Sequence, residues 1–146
     1  MSRPDLGIAL PPSWRRRADP GRGILVSARS TTAPASGVRP EITLRCVAVS
    51  EDLATWRTAA MAELGRRLDD FDVEDADDYD LAGRPVAYRR FAHRILGTDV
   101  VCEQWAWVVE GLGVTLTATV AREDYPAYCD LFEAIAETVD PGPQAA

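Results

Sequence analysis

Residues 81–121, LAGRPVAYRRFAHRILGTDVVCEQWAWVVEGLGVTLTATVA, decide the fold. Three runs rich in β-branched and aromatic residues are separated there by short glycine-bearing turns, the pattern of consecutive hairpins. Ala82-Gly83-Arg84 leads into Pro85–Ile95, Gly97-Thr98 into Val100–Glu110, and Gly111-Leu112-Gly113 into Val114–Ala121. The stretch reads as an antiparallel meander, entered through an acidic strand, Phe71–Leu81.

Upstream, Ser50 is placed to cap a helix running to about Leu68, with Glu51 and Asp52 in its first turn. Leu53, Trp56, Ala60, Leu64 and Leu68 give that helix one apolar stripe. Before it, Ile42–Val49 alternates as a strand does, and Ser30–Pro40 is a Ser-, Gly- and Pro-rich loop. Ile24–Arg29 and Leu6–Leu10 are two more strand candidates, the latter stopped by Pro11-Pro12. Downstream, a helix from about Asp124 to Val139 has the stripe Tyr128, Leu131, Phe132, Ile135 and Val139. About seven strands and two helices with local antiparallel pairing predict a single α+β domain over residues 1–146. Residues 1–5 and 140–146 are expected to be flexible ends.

Eight of the 23 acidic residues fall between Asp69 and Asp80, with no base among them. Outside that run the chain is nearly neutral, with 16 basic residues against 15 acidic ones. No basic footprint exists for nucleic acid. All 16 bases are arginine, so lysine amine chemistry is excluded. The run lacks the Gly and closing Glu of a calcium loop and reads as a charge-protected edge strand. No apolar run is long enough for a membrane helix, so no stable membrane insertion is expected. Met1–Asp5 has no apolar signal core, and Ala18-Asp19-Pro20-Gly21 after the three arginines does not make a twin-arginine signal. The expected compartment is the cytoplasm.

Register arithmetic sorts the hairpin residues into faces. A Gly97-Thr98 loop pairs Arg90 with Trp105 and Tyr88 with Trp107. A three-residue Gly111–Gly113 loop pairs Trp107 with Thr117 and Trp105 with Thr119. One face then carries Tyr88, Arg90, Trp105, Trp107, Thr115, Thr117 and Thr119. The other, small and aliphatic, carries Ala87, Phe91, Ala106, Val108, Leu116, Ala118 and Val120. The first face has two readings. Either a helix or loop covers it and the indoles are core, or it is a partly wet binding surface, with Arg90 stacking on Trp105. A one-residue slip at Gly111–Gly113 would send the threonines to the opposite face.

The chain has no phosphate-binding glycine loop, no nucleophile elbow and no His-Glu-x-x-His. His93 is the only histidine, and register places Cys102 opposite it, two residues where a metal site or a nucleophile pair needs a third. Cys46, Cys102 and Cys129 read as buried thiols rather than a disulfide frame. No cofactor, no metal and no catalysis are expected.

The order of short motifs resembles the Mog/PsbP-like superfamily. Leu10-Pro11-Pro12-Ser13-Trp14 is similar to its LPxxW element, and Ala82-Gly83-Arg84-Pro85-Val86-Ala87-Tyr88-Arg89 to its xGxPAxR hairpin. The Glu103-Gln104-Trp105 strand, the Val114–Thr119 strand and the Phe132–Ala136 helix follow in the same order. The nearest branch is the small bacterial one with LpqN-like and DcrB-like proteins and effector-associated chaperones. The resemblance implies a helix-flanked antiparallel sheet, a non-enzymatic role and, in the chaperones, dimers whose sheet holds apolar helices. Val86, where the family has a small residue, and the acidic run depart from the pattern. The resulting expectation is a protein-binding adaptor or chaperone for a secreted or membrane-inserting effector, with homodimer formation in view. Its partner-binding residues would be Tyr88, Arg90, Trp105, Trp107 and Thr117. A binder of small apolar ligands on the same face is the alternative.

Overall fold

Three hairpin turns of one kind organise the computed structural model, which describes residues 7–17 and 23–142. Ala82-Gly83, Leu96-Gly97 and Glu110-Gly111 each have two consecutive positive φ angles, between 48° and 83°. Each joins strands whose flanking residues pair directly, the geometry of a two-residue type I′ hairpin. Seven strands result: β1 (Trp14–Arg16), β2 (Ile24–Ser30), β3 (Glu41–Ala48), β4 (Asp69–Leu81), β5 (Arg84–Ile95), β6 (Thr98–Val109) and β7 (Leu112–Ala121). They form one antiparallel sheet in the order β1-β2-β3-β7-β6-β5-β4. Helix α1 (Leu53–Arg67) joins β3 to β4, and α2 (Tyr125–Glu137) follows β7 after one turn of 3-10 helix. No described helix is long and apolar enough to cross a membrane.

The acidic run is β4, at the edge of the sheet. Its carboxylates are partly balanced by arginines of β5: Arg89 to Asp78 at 2.9 Å, Arg90 to Glu74 at 3.6 Å and Arg94 to Asp70 at 3.9 Å. The opposite edge differs from expectation. Within Leu6–Leu10, Leu6 lies outside the described residues and only Gly7 bridges, to Asp140. The outer strand is Trp14–Arg16, where the Trp14 ring is buried in the core. Of the expected loose ends, 1–5 and 143–146 lie outside the described residues, but Asp140 N–H donates to Gly7 O at 2.9 Å.

Two register corrections follow from the turns. The β5–β6 loop is Leu96-Gly97, so Tyr88 pairs with Trp105 and Arg90 with Glu103. This is a slip of two residues and preserves the faces. The β6–β7 loop is Glu110-Gly111, so Trp107 pairs with Val114 and Trp105 with Leu116. This slip is odd, and it turns Thr115, Thr117 and Thr119 to the other face. Gly113 is not a turn glycine. A Cβ there would lie 2.5 Å from Trp56 Cη2, so it clears room for the α1 indole.

One face of the sheet carries Ile42, Leu44, Val86, Trp105, Trp107, Val114, Leu116, Ala118 and Val120, and α2 covers it with Phe132, Ile135 and Ala136. This is the core. The reading in which a helix covers the indoles is the one realised, and Trp105 and Trp107 are each 1% exposed. The other face carries the threonines and lies under α1. That helix is capped by Asp52, which accepts from Thr55 N–H at 2.8 Å, rather than by Ser50. The α2 start, by contrast, has no side-chain cap, and Asp124 accepts instead from the Ser36 hydroxyl of the β2–β3 loop.

Candidate functional site

Among the described residues, each face of the sheet has one buried, charged side chain with an unpaired atom. On the α2 face it is Glu103, 5% exposed, and on the α1 face Arg57, 3% exposed. Glu103 Oε1 and Arg57 Nε are buried and have no hydrogen-bond partner. Buried polar atoms are seldom left unpaired, so both positions are candidate ligand contacts.

Glu103 sits mid-β6, opposite Arg90 of β5. Tyr88, the next residue but one along β5, donates its hydroxyl to Glu103 Oε2. The Tyr88 ring packs 5.3 Å from Trp105, and Trp105 Nε1–H donates to Tyr79 O–H at 3.1 Å. Together these side chains floor a cleft of about 440 Å³ between α2 and strands β4 to β6. Asp75 and Asp77 of β4 and Asp130 and Glu133 of α2 rim it. None of those four makes an ion pair with a described residue.

Burial raises the Glu103 carboxyl above its ordinary value, while the neighbouring Tyr88 and Tyr125 hydroxyls and the Arg90 cation pull it down. Burial also raises Tyr79, Tyr88 and Tyr125, so the hydroxyls stay neutral donors. The cleft thus presents negative charge over aromatic rings, a lining that suits an ammonium or guanidinium group.

Of the five expected site residues, Tyr88 and Trp105 line this cleft, Trp105 through the edge of a buried ring. Arg90 stands beside it, its Cζ 5.7 Å from the Tyr125 ring centroid. It does not stack on Trp105, because Glu103, not Trp105, is its cross-strand neighbour. Trp107 is core, and Thr117 points to the opposite face, paired with Gln104. Glu103 and Tyr125 were not singled out. The visible signal was a carboxylate directly after the apolar run Val100-Val101-Cys102.

The α1 face forms a groove of about 490 Å³ over the threonines. Arg57 reaches into it and donates to Gln104 Oε1 at 2.6 Å, and Gln104 Nε2 donates to Thr117 Oγ1 at 3.0 Å. The Arg57 guanidinium carbon lies 3.9 Å from the Trp56 ring centroid. His93 and Cys102 meet in the same groove, Nε2 to Sγ 3.5 Å. Burial pushes the Cys102 thiol up to about 11 and lowers His93. A thiolate–imidazolium nucleophile needs the opposite shifts. Among the described residues no group of three or more metal-ligating side chains gathers.

No family model and no curated protein matches this sequence. Solved structures do match in fold. LpqN, involved in cell envelope biogenesis of Mycobacterium tuberculosis, aligns with TM-score 0.73 at 20% identity, over 95% of this chain and 85% of that one. The protein of unknown function PA94 from Pseudomonas aeruginosa aligns at 0.68 and 13%, over 99% and 88%. Cyanobacterial PsbP from Synechocystis aligns at 0.66 and 11%, over 92% and 85%. The chain therefore has the PsbP/Mog-like fold, a seven-stranded antiparallel sheet with two helices.

Proposed function

We propose that the protein is a non-enzymatic binding module that takes a basic side chain of a partner protein into the Glu103 cleft. The observation that carries this is the unpaired Glu103 Oε1 at the floor of a cleft rimmed by four carboxylates that form no ion pair with a described residue. An arginine or lysine head would donate to Oε1 and its aliphatic stem would lie along the tyrosine rings. Asp75, Asp77, Asp130 and Glu133 would steer the approach through water, which raises association rate more than affinity. The acidic edge strand β4 continues this surface, so a protein segment of basic character fits it better than an isolated amine.

This replaces the picture of an apolar helix held against the indoles. Phe132, Ile135 and Ala136 of α2 already occupy that face. A chaperone role toward a secreted protein is compatible with the proposal only if that protein offers a basic segment.

Affinity capture with wild-type bait beside Asp77→Asn/Glu103→Gln bait tests it. The expected result is a partner that elutes at moderate salt and is lost from the variant while the variant melts no lower than the wild type. Equal capture by both baits, or a partner without a basic contact segment, refutes the proposal.

A further inference from the structure

We propose that the groove between α1 and the sheet binds an organic carboxylate with an apolar body, its anion seated on Arg57. The inference is independent of the Glu103 cleft, which opens on the other face.

Arg57 is a buried cation without a counter-ion: no described carboxylate forms an ion pair with it. Its single side-chain hydrogen bond goes to a neutral amide, Gln104. Burial, with the like-charged Arg89 adding to it, lowers the guanidinium only to about 10. It therefore stays protonated at neutral pH. A buried charge in this state is unfavourable until an anion arrives, and a guanidinium fork matches a carboxylate in two parallel hydrogen bonds. Gln104 is held by Thr117, so Arg57 is already oriented when a ligand enters.

The surroundings set the ligand class. Trp56 and Leu64 of α1 and Leu68 at its C-terminal cap line the groove with Ile24 and Phe91 of the sheet. Arg45 and Arg67 stand on its rim, and Glu63, the lining carboxylate, is engaged by Arg66. A volume of about 490 Å³ lies in the range of small-molecule sites. A bare inorganic anion would leave the apolar wall uncovered. An uncharged chain would leave Arg57 unpaired.

Octanoate, 1-octanol and inorganic phosphate serve as probes on the full chain, read by thermal melting and by the Trp56 indole N–H resonance. Octanoate is expected to raise the melting temperature saturably and to shift the Trp56 resonance, the other two probes not. Arg57→Met is expected to melt at or above the wild type without ligand, and to bind octanoate at least about tenfold more weakly, as loss of a charge-assisted pair requires. No octanoate response in the wild type, an equal response to octanol or phosphate, or full binding by Arg57→Met overturns the proposal. Should Arg57→Met fail to fold, the wild-type Trp56 shift with octanoate alone among the three probes decides it.

Discussion

Replacing Glu103 by glutamine separates binding from folding, because the two effects have opposite signs. The amide keeps the shape and still accepts from Tyr88, but it removes a carboxylate that is 5% exposed and has one unpaired oxygen. The folded carboxyl sits above its ordinary value, with burial as the main cause. A carboxyl raised in the folded state costs stability once ionised. The cost is absent below the unfolded value and develops as pH rises through the folded one. An unpaired buried polar group of this kind costs about 1–3 kcal/mol, and glutamine recovers part of it. Glu103→Gln should therefore stabilise the free protein by about 1 kcal/mol at pH 7. For a chain of this size that raises the melting temperature by roughly 3 °C. The gain should shrink as pH falls through the folded carboxyl's value toward the unfolded one. The same substitution should weaken partner binding by about 2–5 kcal/mol, roughly 30-fold or more in Kd, since it removes one member of a buried charge pair. Thermal melts at several pH values with partner titration measure both. A destabilised variant, or a gain that does not vary with pH, would refute the account of Glu103 as an ionised carboxylate with one buried, unpaired oxygen.

Three further outcomes follow from the packing. Trp107→Ala should cost about 3–5 kcal/mol, because a fully buried indole leaves a cavity in the core; a melt within a degree or two of wild type would contradict its place there. Gly113→Ala should cost about 1–3 kcal/mol and red-shift Trp56 fluorescence, since the new methyl carbon would fall 2.5 Å from that ring. Cys102, its thiol raised to about 11, should resist iodoacetamide at neutral pH in the folded protein and react in urea; rapid labelling of the native protein would show an activated thiol.

The meander, the acidic edge strand and the stripes of both helices were legible because each is written in local pattern. Trp56, Ala60, Leu64 and Leu68 do line the α1 groove, and Phe132, Ile135 and Val139 do enter the core. The turn at Gly111–Gly113 misled because two glycines there have different causes. Gly111 completes an I′ turn with Glu110, whereas Gly113 makes room for an indole 57 positions earlier in the chain. Nothing within the hairpin distinguishes them, yet the choice decides which face the threonines take. The candidate sites were hidden for a related reason. A carboxylate among apolar strand residues and an arginine beside Trp56 are visible in sequence, but their lack of a partner belongs to the tertiary structure alone.

The indole N–H resonances of Trp105 and Trp107 offer the most direct measurement of the cleft. Trp105 donates to Tyr79 at the cleft floor, and Trp107, two residues along the same strand, is 1% exposed and does not line the cleft. Titrating the labelled protein with N-acetyl-arginine methylamide should move the Trp105 resonance saturably, leave Trp107 in place, and lose its effect in Glu103→Gln. A Trp105 resonance that stays still, or moves equally in the variant, would contradict a cation site at Glu103.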